Sequence, residues 1–256
     1  MFEFLLTFVV SFFSVVTVTE LLISAFILLV SGLIQGYSGF GGGTVSVPIL
    51  VILFDPVIAV GIITPIYIFG AATILPNAVR NVDWKEVLPV VLSGSLSVFI
   101  GLSFLINTDP NIMKRVMGLF ILLTTFIMIF GGVYRGPRNI FTSVFAGLAT
   151  GGVSGGTGIP GAPIMVMYYL AAKVPPAVQR GNILTTGSVF SLCIILGLAQ
   201  NDIYDHKTLL LIFILSPVFM VATRVGQYLF KVAPINWFKR AAYSLLIFAG
   251  LILLAV

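Results

Sequence analysis

Bare backbone amides are the groups in this sequence best placed to do chemistry. In "SGFGGGTVSVP" (residues 38–48), Gly41, Gly42 and Gly43 precede Thr44 and Ser46, and in "VSGGTGIP" (residues 153–160), Gly155 and Gly156 precede Thr157 and Gly158. A glycine has no side chain to shield its N–H, and it allows tight turns and the close approach of a ligand. Where such a run opens a helix, unpaired N–H groups and the positive end of the helix dipole make an anion site. The hydroxyls of Thr44, Ser46 and Thr157 would add donors, and Arg180 in "PPAVQRGN" would add a positive charge near a helix start. The same features also have structural uses, since small residues let helices pack closely and an arginine at a helix end can snorkel to the interface.

Other reactive groups are scarce. One cysteine, Cys193, and one histidine, His206, cannot assemble a disulfide or a His/Cys metal cluster. No GxxxxGK[ST] motif occurs, and no serine or cysteine in the apolar stretches has a base expected beside it. Carboxylates fall in loops or at the edges of apolar segments, which argues against a proton relay through a buried Asp or Glu. Neither enzyme activity nor a cofactor or metal is expected.

The elements that must position these residues belong in lipid. Hydrophobic residues make up 59% of the 256-residue chain and charged residues 8%, far from the soluble norm of about a quarter charged. Apolar runs near the roughly 20 residues needed to span a bilayer recur along the whole length. The expectation is one all-α polytopic membrane domain over residues 1–256, with an extra N-terminal helix retained ahead of it because Glu3 stands where a signal peptide carries basic residues. The formal charge of +5 is spread over short loops, so no nucleic-acid partner is expected. The lipid bilayer is the surrounding partner, and the oligomeric state is left open, a homo-oligomer included.

An internal repeat organises the chain. "GLIQGYSGFGGGTVSVPIL" from Gly32 aligns without a gap to "GLATGGVSGGTGIPGAPIM" from Gly147, pairing Gly36 with Gly151, Gly41 with Gly156, Gly43 with Gly158 and Pro48 with Pro163. The halves run from about 20 to 133 and about 138 to 255, each with five apolar segments: A (20–38), B (44–54), C (57–78), D (86–106), E (112–133), and A′ (139–154), B′ (159–172), C′ (176–199), D′ (208–230), E′ (236–255). Segment B reaches only about 16 Å at 1.5 Å per residue, so A and B form either a hairpin that returns to its own face or one broken crossing. The hairpin puts Arg80, Lys85, Arg135, Arg138, Lys173, Arg180, Lys231, Lys239 and Arg240 on one face, whereas the broken crossing scatters them. The positive-inside rule therefore favours two inverted-topology repeats, each with a Gly-rich re-entrant helical hairpin plus about three transmembrane helices, basic face in the cytoplasm. The helix starts at Thr44 and Ile159 would then face each other near the midplane.

The paired motifs, "GxxxGxxGFGGGxxxxP" and "GxxxGGVSGGTGIPGxP" 115 residues apart, resemble the TauE/SafE family of sulfite exporters, also called the toluene sulfonate uptake permease family. The resemblance covers nearly the whole chain. It implies a secondary transporter in the inner membrane of a prokaryote, moving sulfite, thiosulfate or organosulfonates, with an anion channel of the same architecture as the alternative. In the second half Ser154 and Gly155 stand where the first has Gly39 and Phe40, which would open that side to closer approach by the anion.

Overall fold

The computed structural model describes residues 17–39, 41–130, 134, 136–159, 163–229 and 235–255, with side chains of the last helix from Tyr243 onward. The expected N-terminal helix and the basic residues Arg135, Lys231, Lys239 and Arg240 lie outside these, or outside their described side chains. The helices are α1 (Val18–Ser38), α2 (Gly42–Leu53), α3 (Pro56–Ala72), α4 (Leu75–Ala78, running into a 3-10 turn at Val79–Asn81), α5 (Trp84–Asn107), α6 (Pro110–Ile129), α7 (Ile140–Thr157), α8 (Pro163–Leu170), α9 (Pro176–Ala199), α10 (His206–Leu229) and α11 (Ile235–Ala255). No strand occurs among the described residues.

Local chemistry sets the boundaries. Asp55 and Asp109 cap α3 and α6, accepting from the N–H groups of Val57 at 2.9 Å and Asn111 at 2.9 Å, each followed by a proline at the first helical position, where its missing N–H costs nothing. Thr17 with Glu20, and Asn139 with Thr142, close reciprocal capping boxes on α1 and α7. Among the described residues, five helices (α1, α5, α6, α9, α10) are long and apolar enough to cross a membrane, six if the pair α3 and α4, bent by 60°, is one span. Leu96, Ile100, Phe141 and Phe213 stand largely exposed, as suits a surface solvated by lipid.

Most segments fall where the sequence places them, with two corrections. Segment C is not continuous: Pro76 lacks an N–H and its ring opposes the carbonyl one turn back, so the helix stops at Ala72 and restarts at Leu75. Segment A′ runs three residues further than expected, to Thr157, where Gly158 ends it at φ 65°, and α8 begins at Pro163 instead of Ile159.

The core is built by exchange between the halves. The most extensive packing joins α7 to α5 and α1 to α10, so each half's first segment lies on the other half's fourth. Both pairs run parallel and are held by glycines: a Cβ at Gly151 would overlap the carbonyl oxygen of Gly94, one at Gly155 that of Val98, and one at Gly36 that of Thr223. Such small-residue seams bring backbones into contact where lipid supplies no hydrophobic drive. Ser93 and Ser97 add interhelical bonds, donating to the carbonyls of Val144 at 3.0 Å and Leu148 at 2.6 Å.

Candidate functional site

The chain leaves α1 through Gly39 (φ 81°) and enters α2 from Gly41 (φ 96°), both in the left-handed region that glycine tolerates. The first intrahelical bond of α2 runs from Val45 N–H to the Gly41 carbonyl at 2.9 Å, so the N–H groups of Gly42, Gly43 and Thr44 have no acceptor within the helix. The turn is bare on two sides for different reasons. A Cβ at Gly39 would stand 2.6 Å from Cγ and 2.9 Å from Nε of Arg180, because that side chain lies across it. A Cβ at Gly42 would overlap the amide oxygen of Gln35 and stand 2.9 Å from Cζ of Phe219.

Arg180 enters from the first turns of α9 and donates from Nη2 to the Gly36 carbonyl at 2.9 Å. It also lines a cavity of about 250 Å³ whose polar wall is completed by Asn77, Asn81 and Gln227. Thus Arg180 and the first glycine turn, 144 positions apart, are brought together. Gln35 is fully buried in α1, and neither of its amide atoms has a hydrogen-bond partner among the described residues. Its repeat mate, Thr150, is also fully buried with an unpaired hydroxyl, as is Ser154 one turn on.

The second glycine run is placed differently from the first. Gly155 and Gly156 are helical, with Gly155 sealed against Val98 and Gly156 facing Gly101, whose carbonyl oxygen a Cβ there would meet at 3.6 Å, so the side expected to be open to an anion is occupied by α5. The Thr157 hydroxyl donates to the Val153 carbonyl at 2.7 Å and that of Ser46 to the Gly42 carbonyl at 2.6 Å, so each is engaged with its own helix. Pro163, the first described residue of α8, brings no N–H. The short helices nevertheless meet: Gly41, Thr44 and Val45 border a cavity of about 40 Å³ together with Pro163 and Val166.

A polar cluster joins the remaining elements on one face. Arg138 pairs with Glu86, donates to the Tyr168 carbonyl at 2.7 Å and lies 4.4 Å from the centre of the Tyr168 ring. Asn182 donates to Glu86 at 3.3 Å and accepts from the Asp83 N–H at 2.9 Å. Arg138, read from the sequence as a solvated topology marker, is therefore a tie between α5, α7 and α8, whereas Arg224 is exposed. Among the described residues no three His, Cys, Asp or Glu side chains converge to hold a metal.

Spanning helices with an apolar exterior, and a short helix that opens from a glycine turn crossed by a half-buried arginine, define a multi-pass membrane protein. The chain belongs to the family described as "Sulfite exporter TauE/SafE", whose pattern it matches over residues 24–253. It is similar to the "Probable membrane transporter protein MJ0441" of Methanocaldococcus jannaschii, 27% identical over 172 residues, or 62% of this chain and 64% of that relative. The match thus covers a little less than two thirds of the relative's length. No solved structure matches the chain.

Proposed function

We propose that the protein is a secondary transporter of small sulfur-containing anions, sulfite, thiosulfate or organosulfonates, in the inner membrane of a prokaryote, acting as one integral membrane domain of two inverted repeats. The observation that carries this reading is the placement of Arg180 across Gly39, in the turn that leads into α2, and at the wall of the 250 Å³ cavity. A cation, a helix N-terminus and polar amides converge there without a carboxylate among them, which is the donor set an oxyanion needs. Gly41, Gly42, Gly43 and Thr44 are the proposed donors, and Ser46 supports the same turn. Gly155, Gly156, Thr157 and Gly158 are the second-half counterparts proposed from the repeat, with Gly155 and Gly156 packed on α5 and Gly158 against Val60.

Contacts between loops support the inverted arrangement. Glu86, Arg138 and Asn182 bring the starts of D, A′ and C′ to one face, and Lys173, at the end of B′, borders the same pocket as Arg138. Segments A′ and B′ therefore begin and end together, as a re-entrant hairpin does. On the other face, Glu20 at the start of A feels the charge of Lys207, and a Cβ at Gly61, early in C, would stand 3.2 Å from Cγ2 of Ile203. With the basic loops inward, the Arg180 cavity opens toward the cytoplasm.

Binding of sulfite, thiosulfate, sulfate and several organosulfonates to purified protein tests the reading. Arg180→Ala is expected to weaken the preferred anion at least tenfold, while Arg80→Ala, in an exposed turn, changes it less than threefold. Equal affinities in the two folded variants would remove Arg180 from the site.

A further inference from the structure

We infer that Gln35 is a direct ligand of the transported oxyanion and the residue that makes the first-half site select a multi-oxygen sulfur group. This rests on the transporter reading above and adds a ligand to it. A buried amide normally finds partners for both its donors and its acceptor, because desolvation without a hydrogen bond is costly. Gln35 is 0% exposed and has none among the described residues. Its position is specific: the amide oxygen rests against Gly42, and only the missing Cβ there gives it room. It therefore lies against the first turn of α2, a helix of 12 residues whose opening N–H groups belong to that same turn.

The geometry suggests an exchange. The carboxamide oxygen, the negative end of its dipole, lies against Gly42 in the first turn of α2. Rotation about its terminal torsion, which has a broad and roughly two-fold profile, presents the NH₂ group instead. An anion with two or more oxygens on one sulfur can then take the α2 amides on one oxygen and Gln35 on another. A halide offers no second oxygen to Gln35. Sulfite, thiosulfate and sulfonates all carry such a group.

The test compares wild type with Gln35→Leu and Gln35→Glu, measuring affinity for sulfite, thiosulfate and bromide together with the melting temperature without added anion. Leucine has nearly the shape of glutamine without its polar atoms, so Gln35→Leu is expected to melt at or above the wild-type temperature while binding sulfite and thiosulfate at least tenfold more weakly. Gln35→Glu is expected to bind more weakly still, since a carboxylate would face the anion, and bromide affinity should be unchanged in Gln35→Leu. Sulfite and thiosulfate affinities in Gln35→Leu within twofold of wild type would overturn the assignment. So would a lower melting temperature in that variant, which would mean that Gln35 holds a structural bond. If wild type itself bound no sulfur oxyanion, the transporter reading would fall and this inference with it. Wild-type binding that Gln35→Leu leaves intact would sink this inference alone.

Discussion

At the scale of single residues, the glycines of the first turn answer to named side chains. Gly39 makes room for Arg180 and Gly42 for Gln35, while Phe219 abuts Gly32, Gly42 and Gly70 at once. Gly42 does not have a positive φ, so an alanine there is excluded by collision and not by backbone strain. Gly42→Ala should therefore destabilise by about 1–3 kcal/mol, the range for overpacking a well-filled interior. Gln35→Ala in the same chain should recover part of that loss, giving a coupling of about 0.5–2 kcal/mol in a double-mutant cycle read from thermal unfolding. Additive effects would show that the two side chains do not share the space. The spacing of the glycines was legible in the sequence, because their recurrence in both halves has no other ready cause. What each one faces was not, since Arg180 and Phe219 come from segments over a hundred positions away. For the same reason the contacts of Gly101 and Gly118, within segments D and E, have no signal in the sequence: a Cβ at Gly118 would stand 2.9 Å from the Gly250 carbonyl oxygen.

At the scale of elements, caps and breaks did most to fix boundaries. The end of α3 was signalled by Pro76, but the surrounding apolar run hid it. The extension of α7 to Thr157 had no such signal, because a helix seamed against α5 tolerates consecutive glycines that would weaken a free one. On α10 the cap is Asp205, which accepts from the Thr208 N–H at 2.8 Å. The Thr208 hydroxyl and N–H, both hydrogen-bonded to this carboxylate, lower its pKa below the usual value. A depressed carboxyl stabilises the fold above its unfolded pKa of about 3.9 and loses that contribution as the pH falls through the folded value. Asp205→Ala should thus cost about 0.5–2 kcal/mol at pH 7 and progressively less below about pH 4, measured by thermal unfolding across pH. A constant difference down to pH 3 would show that the cap acts through shape and not charge.

At the scale of the whole molecule, the two halves complete each other. Where C meets D′, Gly70 receives Phe219, and where C′ meets D, Phe190 meets Gly94, so the same kind of joint is built with bulk and gap interchanged. The distribution of Lys and Arg predicts which loops share a face; the exchange of partners was not readable, because a hydrophobic pattern does not say which neighbour covers it. Single-cysteine labelling in a Cys193→Ser background should place Gly136→Cys and Lys173→Cys on one face and Asn111→Cys and Asn201→Cys on the other. Gly136→Cys and Asn201→Cys labelled from the same side would refute the inverted arrangement. The cross-pairing of α1 with α10 also bears on how the protein is made. At roughly 5–20 residues per second, the roughly 190 residues separating Gly36 from its neighbour Thr223 take about 10–40 s to leave the ribosome. Throughout that interval α1 sits in the bilayer with its glycine seam unmatched. A chain halted after the first repeat would have every segment of that repeat and still lack α10, the helix on which its first segment packs.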